Sequence, residues 1–107
     1  MEIWKEVYFE ENGIIWDYRG LYSVSNEGRV KSFRGNRGQK REKTLKPNTD
    51  KDGYHQVILC KNKHHKAFRV HRLVAHMFCE GYFENAEVDH INTNPSDNRA
   101  NNLRWVT

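Results

Sequence analysis

Asp89 and His90 are neighbours whose side chains could do hydrolytic chemistry together. A carboxylate is a hard oxygen ligand for a divalent cation, and an imidazole that titrates near neutrality takes a proton from water. Hydrolysis of a phosphodiester needs both functions. The cation offsets charge on the scissile phosphate and on the departing oxygen, while the base activates the attacking water. On its own an Asp-His dipeptide is commonly structural. Along an extended strand the two side chains also point to opposite faces, so they serve one site only where the strand ends or twists.

The surrounding sequence supplies such an end. Two short strands, around 86–90 and 102–106, bracket the loop Asn92-Thr93-Asn94-Pro95-Ser96-Asp97-Asn98, whose side chains readily hydrogen-bond their own backbone. Upstream, Val70, Leu73, Val74, Met77 and Phe78 recur at the spacing of one buried helical face. His71, Arg72 and His76 are expected elsewhere on that helix, with Arg72 a candidate phosphate contact, and Gly81 is placed to stop it. Before the helix, Tyr54 to Lys61 reads as a strand with Val57 and Leu59 on one face, and Ala67, Phe68 and Val70 as its return. The polar turn between them holds His64 and His65, which read as exposed rather than metal-ligating. Nearer the N-terminus, Leu21, Tyr22 and Val24, then Val30 and Phe33, form a second pair of strands around a tight Asn26-Glu27-Gly28 turn. Residues from Arg34 to Arg41 lack an apolar anchor and read as a flexible basic loop.

Taken in order, these blocks resemble a known family. Val88-Asp89-His90-Ile91-Asn92, Asn94, Asp97-Asn98-Arg99 and Asn101-Asn102-Leu103-Arg104-Trp105-Val106-Thr107 look like the HNH motif of phage homing endonucleases. The helix from Val70 to Phe78 belongs to the same pattern. Trp16, Gly20, Tyr22, Val24-Ser25-Asn26, Gly28, Val30 and Ser32 resemble the short nuclease-associated DNA-binding module often fused to those enzymes. The likeness is nearest to the intron-encoded HNH nicking endonucleases of Bacillus phages.

The resemblance implies an α+β fold of small antiparallel β-hairpins with one central helix, ending in the ββ part of a ββα-metal motif. It implies a DNA-binding module over 1–46 and a nuclease domain over 47–107. Asp89 would ligate Mg²⁺ or Mn²⁺, His90 would be the general base, and Asn102 would orient His90 or its neighbouring backbone. The family's motif closes with a helix carrying a second metal ligand, roughly two to three helical turns beyond the strand that holds Asn102. That helix is missing from this sequence, so either a further C-terminal segment or a second chain completes the site, or the protein no longer cuts.

Composition agrees with a nucleic-acid partner. The 107 residues carry a net charge of +4, but the charge is uneven. Residues 1–28 hold six acids and two bases, residues 29–72 hold 14 bases and three acids, and residues 73–107 hold five acids and two bases. A basic centre beside an acidic, metal-binding end suits a polyanion track. Along double-stranded DNA, Arg29, Lys31, Arg34, Arg37, Lys40, Arg41 and Lys43 offer one set of phosphate partners, and Lys61, Lys63, Lys66 and Arg69 a second strip. Such contacts position a protein without reading bases, so weak sequence preference is expected.

A mean hydropathy of −0.99 beside 13 aromatic residues predicts a folded chain with a thin core. Trp4, Trp16 and Tyr22 are expected in that core rather than stacked on bases. Cys60 and Cys79 lack a CxxC partner pattern and read as reduced packing residues, which places the chain in a cytoplasmic compartment, and the family resemblance implies that of a bacterial phage host. No apolar run reaches membrane-spanning length, and the N-terminus shows no signal-peptide pattern. Two other function classes remain open at this level. A DNA-binding or regulatory protein could reuse the HNH scaffold without cutting. An inhibitor of another nuclease would leave the basic centre without a partner.

Overall fold

A computed structural model describes residues 1–33 and 41–107. Its strands are β1 (Trp4–Glu6), β2 (Tyr8–Glu11), β3 (Ile14–Asp17), β4 (Tyr22–Ser25), β5 (Val30–Ser32), β6 (Lys43–Thr44), β7 (Asn48–Thr49), β8 (His55–Lys61), β9 (His64–Arg69), β10 (Glu87–His90) and β11 (Leu103–Val106). A single α-helix, α1 (Val70–Phe78), is found among the described residues, and Ala100–Asn102 make a short 3-10 turn. The basic loop expected from Arg34 lies outside the described residues, apart from Arg41.

All strand pairs are antiparallel. β1, β4, β5 and β6 pair in the order β1-β4-β5-β6, β7, β8 and β9 in chain order, and β2-β3 and β10-β11 are separate ribbons. This is the α+β arrangement of small hairpins around one helix that the sequence predicts.

Local chemistry explains the hairpins. Asn62 and Lys63 both have positive φ, 52° and 67°, which closes β8 onto β9 through a two-residue turn whose twist matches that of the strands. His64 and His65 therefore belong to β9, where both are exposed. Between β4 and β5, Ser25 N–H donates to Arg29 at 2.8 Å and Gly28 takes φ +88°. Only glycine suits that position twice over. A Cβ there would fall 2.9 Å from the backbone oxygen of Asn98, as well as in a strained conformation.

Val7, Phe9, Tyr18, Tyr22, Val24, Val30, Val57, Leu59, Val70, Leu73, Val74 and Leu103 form one buried cluster. It runs from the N-terminal strands through the helix to the last strand, without a break at residue 46. Tyr22 lies inside it, Trp16 packs against it half-buried, and Trp4 is half-buried under the cations of Arg29 and Lys31.

The helix departs from expectation in three ways. Val70 begins it rather than closing β9. It ends at Phe78, where extended Cys79 donates its N–H to Ala75 O at 2.9 Å, before Gly81 is reached. His71 and His76 also turn inward. His71 is 5% exposed and stacks on Tyr54, while His76 stacks on Phe9 at 4.2 Å. Nine residues enclosed by strands of all four sheets leave little of the helix facing water.

Candidate active site

Asp89 and His90 are the last two residues of β10, paired across the ribbon with Arg104 and Leu103 of β11. The pleat alone would send their side chains apart. Because the strand stops at His90, both nevertheless border one open, polar groove of about 220 Å³, lined also by Asp52, Tyr54, Val88, Thr93 and Pro95. Asp52 and Tyr54 arrive from the turn between β7 and β8, far away in the chain.

The strand end is fixed by a network of asparagines. Asn102 accepts the Asn92 N–H at 3.0 Å through Oδ1, and its Nδ2 donates to Asn92 Oδ1 at 3.0 Å and to the Asp97 carbonyl at 2.9 Å. Its backbone oxygen receives the Ile91 N–H at 2.8 Å. Asn102 thus holds the backbone that follows His90, not the imidazole. Asn92 and Asn94 accept from the Asn94 and Ser96 N–H groups, and are absorbed by the loop. The Arg99 guanidinium beside Asp97 holds its carboxyl well below the usual range, so this brace stays charged across ordinary pH.

His90 is buried, and its Nε2 lies 2.8 Å from Asn98 Oδ1. Its ring sits 4.9 Å from that of His71 and 5.9 Å from that of Tyr54, centroid to centroid. Burial, then the charge His90 can carry, then Arg72 and Arg69, push the His71 pKa down to about 3, against a smaller pull from Asp50. His71 is therefore a neutral wall to the site. Neither Asn98 nor His71 was marked as functional in the sequence. Asn98 was hidden among loop asparagines. The one available signal for His71 was its position three residues before Val74, at the margin of the apolar helix face.

Asp89 Oδ2 accepts from Nε of Arg104 at 2.9 Å, with Nη2 as close in the ion pair, while Oδ1 accepts from no described residue. With side chains 61% and 40% exposed, such a pair adds only about 0–1 kcal/mol, so it yields readily to a stronger cation. No group of three or more His, Cys, Asp or Glu among the described residues forms a ready cage for a metal. The donor set present, one carboxylate in a polar groove with a second on its lining, nonetheless fits a hard divalent cation. Ions of that kind take one or two carboxylates and fill the remaining positions with water and phosphate oxygens.

The cations proposed for DNA are unequally available. Arg29 pairs with Glu2, and Lys31 with Glu42 at 3.0 Å over the rings of Trp4 and Phe33. Lys61 donates to the Asp17 carbonyl at 2.7 Å, and Lys66 lies over Trp16 and Phe68. Arg69 pairs with Asp50 and Asp52. Arg72 is bound to Glu11 at 3.0 Å and to the Ala86 carbonyl, beneath Trp105. Burial draws the Glu11 carboxyl upward, but hydrogen bonds from His76 and Arg72 outweigh it and leave it lowered. Arg41, Lys43 and Lys63 are exposed and make no ion pair to a described residue. Arg34, Arg37 and Lys40 lie outside the described residues.

A two-stranded ribbon with Asp-His at its edge, closed by an asparagine that grips the intervening loop, defines an HNH-type site. Comparison with known proteins gives the same class. Residues 2–60 match the NUMOD4 motif and residues 68–107 the HNH endonuclease family. The chain belongs to the HNH endonuclease family and carries a NUMOD4 motif on its N-terminal side. It is 50% identical over 90 residues, 84% of its length, to DNA endonuclease I-HmuI of Bacillus phage SP01, and those residues make up 48% of that protein. An uncharacterized HNH endonuclease of Acanthamoeba polyphaga mimivirus is 36% identical over 98 residues, 92% of this chain and 28% of that one. A solved structure of the HNH homing endonuclease I-HmuI superposes with a TM-score of 0.77 at 46% identity, covering 98% of this chain and 52% of that one. The chain thus spans about half the length, or less, of these relatives.

Proposed function

We propose that this chain binds double-stranded DNA and hydrolyses a phosphodiester bond within it, with a divalent cation, Mg²⁺ or Mn²⁺, held by Asp89. The observation that carries the reading is that Asp89 and His90, despite being strand neighbours, line one open groove. The fold likeness to an enzyme whose structure is described as one of DNA binding and cleavage supports it.

In this reading His90 takes a proton from a water in the groove, and Asp89 keeps its carboxylate directed to the cation. When bound, that cation offsets charge on the scissile phosphate and on the departing oxygen. Asn102 keeps the backbone after His90 from moving, so the base and the carboxylate stay at one distance. Tyr54 and Asp52 close the groove from the β7–β8 turn. Attack at phosphorus leaves 5′-phosphate and 3′-hydroxyl ends. The division of labour places DNA binding over 1–46 and chemistry over 47–107, a division of function only, because the core is common to both and the NUMOD4 match runs on to residue 60. The exposed Arg41, Lys43 and Lys63 are the first phosphate contacts. The paired cations join only where the duplex displaces their carboxylates.

The test is conversion of supercoiled to nicked plasmid by the full chain with Mg²⁺ or Mn²⁺. Wild type should nick, a chelator should stop it, and His90→Ala should abolish it. Identical metal-independent background from wild type and His90→Ala would sink the reading. A second reading, DNA binding without cleavage, is favoured by the lack of a three-donor metal cage among the described residues. It predicts salt-sensitive binding, unchanged in His90→Ala, and no nicks.

A further inference from the structure

The loop after β10 contains one asparagine whose side chain is not used to shape the loop. Asn98 is 5% exposed, and its Oδ1 lies 2.8 Å from His90 Nε2. A carboxamide oxygen can only accept, so the proton of a neutral His90 ring belongs on Nε2 and the lone pair on Nδ1. The rings of His71 from α1 and Tyr54 from the β7–β8 turn lie tilted beside it, 4.9 and 5.9 Å between centroids, and stack on each other.

Asn98 is itself backed by the N-terminal segment. A Cβ on Gly28 would lie 2.9 Å from Asn98 O and 3.0 Å from its carbonyl carbon and Cβ, so the β4–β5 turn presses directly on this residue. Two residues on, the Ala100 N–H donates to Asn26 O at 2.8 Å, a second tie between the same turn and the same loop. The turn, Asn98 and His90 form one continuous line of contact from the NUMOD4 match into the HNH match.

We propose that Asn98 is a positioning residue for His90: it holds the imidazole as the Nε2–H tautomer, leaving Nδ1 as the proton acceptor, and the β4–β5 turn holds Asn98 in place. Its consequence for rate rests on the reading of His90 as general base; the tautomer itself does not. The N-terminal module then acts on chemistry as well as on DNA. A disturbance at the turn reaches the base without touching a phosphate contact.

Long-range ¹H–¹⁵N spectra of the full chain with ¹⁵N-labelled histidine read the tautomer directly. His90 would be assigned from its loss in His90→Ala. Wild type should show the Nε2–H form. Asn98→Ala should show a mixture, and Asn98→Asp, which keeps an acceptor, should restore it. Single-turnover nicking at saturating plasmid should fall about 10- to 100-fold in Asn98→Ala with DNA affinity unchanged, and recover in large part in Asn98→Asp. If the alanine variant does not fold, Asn98→Leu fills the space without an acceptor and carries the same expectation. A wild-type Nδ1–H tautomer, or an acceptor-less variant that keeps both tautomer and rate, overturns the proposal. If His90→Ala nicks as fast as wild type, the general-base reading fails instead, and the tautomer still decides the role of Asn98.

Discussion

His71 pays for its place beside the catalytic candidate with an unsatisfied ring nitrogen. Its Nδ1 is buried and has no hydrogen-bond partner, and its pKa is lowered to about 3. The unfolded chain would bind a proton near the ordinary value of about 6.5, so below that pH it holds more protons than the folded one. The stabilising contribution is therefore complete above about 6.5 and is lost progressively as pH falls toward 3. His76, lowered chiefly by burial against the pull of Glu11, acts in the same direction. Lowered carboxyls such as those of Glu2 and Asp17, both near 2, begin to lose their contribution only as pH falls through their ordinary values of 4.5 and 3.8, so the span from pH 7 to pH 5 lies outside their window. Thermal melts between pH 7 and pH 5 should show wild type losing stability, and His71→Phe losing less, the remainder belonging to His76. Equal slopes for the two proteins would mean that His71 is not held neutral. Asp89, His90 and Asn102 were legible as a candidate site only through the likeness of the ordered blocks around them to a known motif, since an Asp-His pair by itself is commonly structural. Asn98 and His71 were not, because each acquires its role from a partner brought near only by folding.

At the level of elements, alternation and turn chemistry carried most of the information. The Val57/Leu59 face needed nothing beyond neighbours in sequence, and β4, β5, β8, β9, β10 and β11 fell near where the pattern put them. By contrast, β1, β2, β3, β6 and β7 were not anticipated, and the turn after β8 is only Asn62-Lys63. The helix was legible in its apolar stripe but not in its ends or in how far it is enclosed. A stripe records which positions meet the main core, whereas His71 and His76 meet rings from β2, β10 and the loop at Tyr82, which periodicity cannot report. Since α1 touches strands of all four sheets, its packing is expected to support the molecule as a whole. Leu73 is fully buried, and Leu73→Ala should cost about 2–5 kcal/mol through lost transfer energy and the cavity left behind. In urea, fluorescence of the three tryptophans and far-UV circular dichroism should shift together, because one core joins the N-terminal strands to β11. Two separated transitions, with only one moved by Leu73→Ala, would show that the halves are independent.

For the whole molecule, the charge count overstates what DNA can use. The segment 29–72 holds 14 bases, yet the structure ties Arg29, Lys31, Arg69 and Arg72 to carboxylates of the same chain. Releasing a cation from such a pair to contact phosphate exchanges one anion for another and gains little. A free exposed cation gains the full release of condensed counterions, about 0.9 in the slope of log K against log salt for each phosphate neutralised. The contrast is sharpest between Lys31, whose side chain is 16% exposed against Glu42, and the exposed Lys43 and Lys63. Binding of a short duplex by fluorescence anisotropy across a salt series should show Lys43→Ala and Lys63→Ala each lowering the slope by about one, with affinity falling alike for unrelated sequences. Lys31→Ala should leave the slope where it was. A slope that drops for Lys31→Ala and not for the other two would put the duplex on a different face, and the track would have to be redrawn through displaced ion pairs.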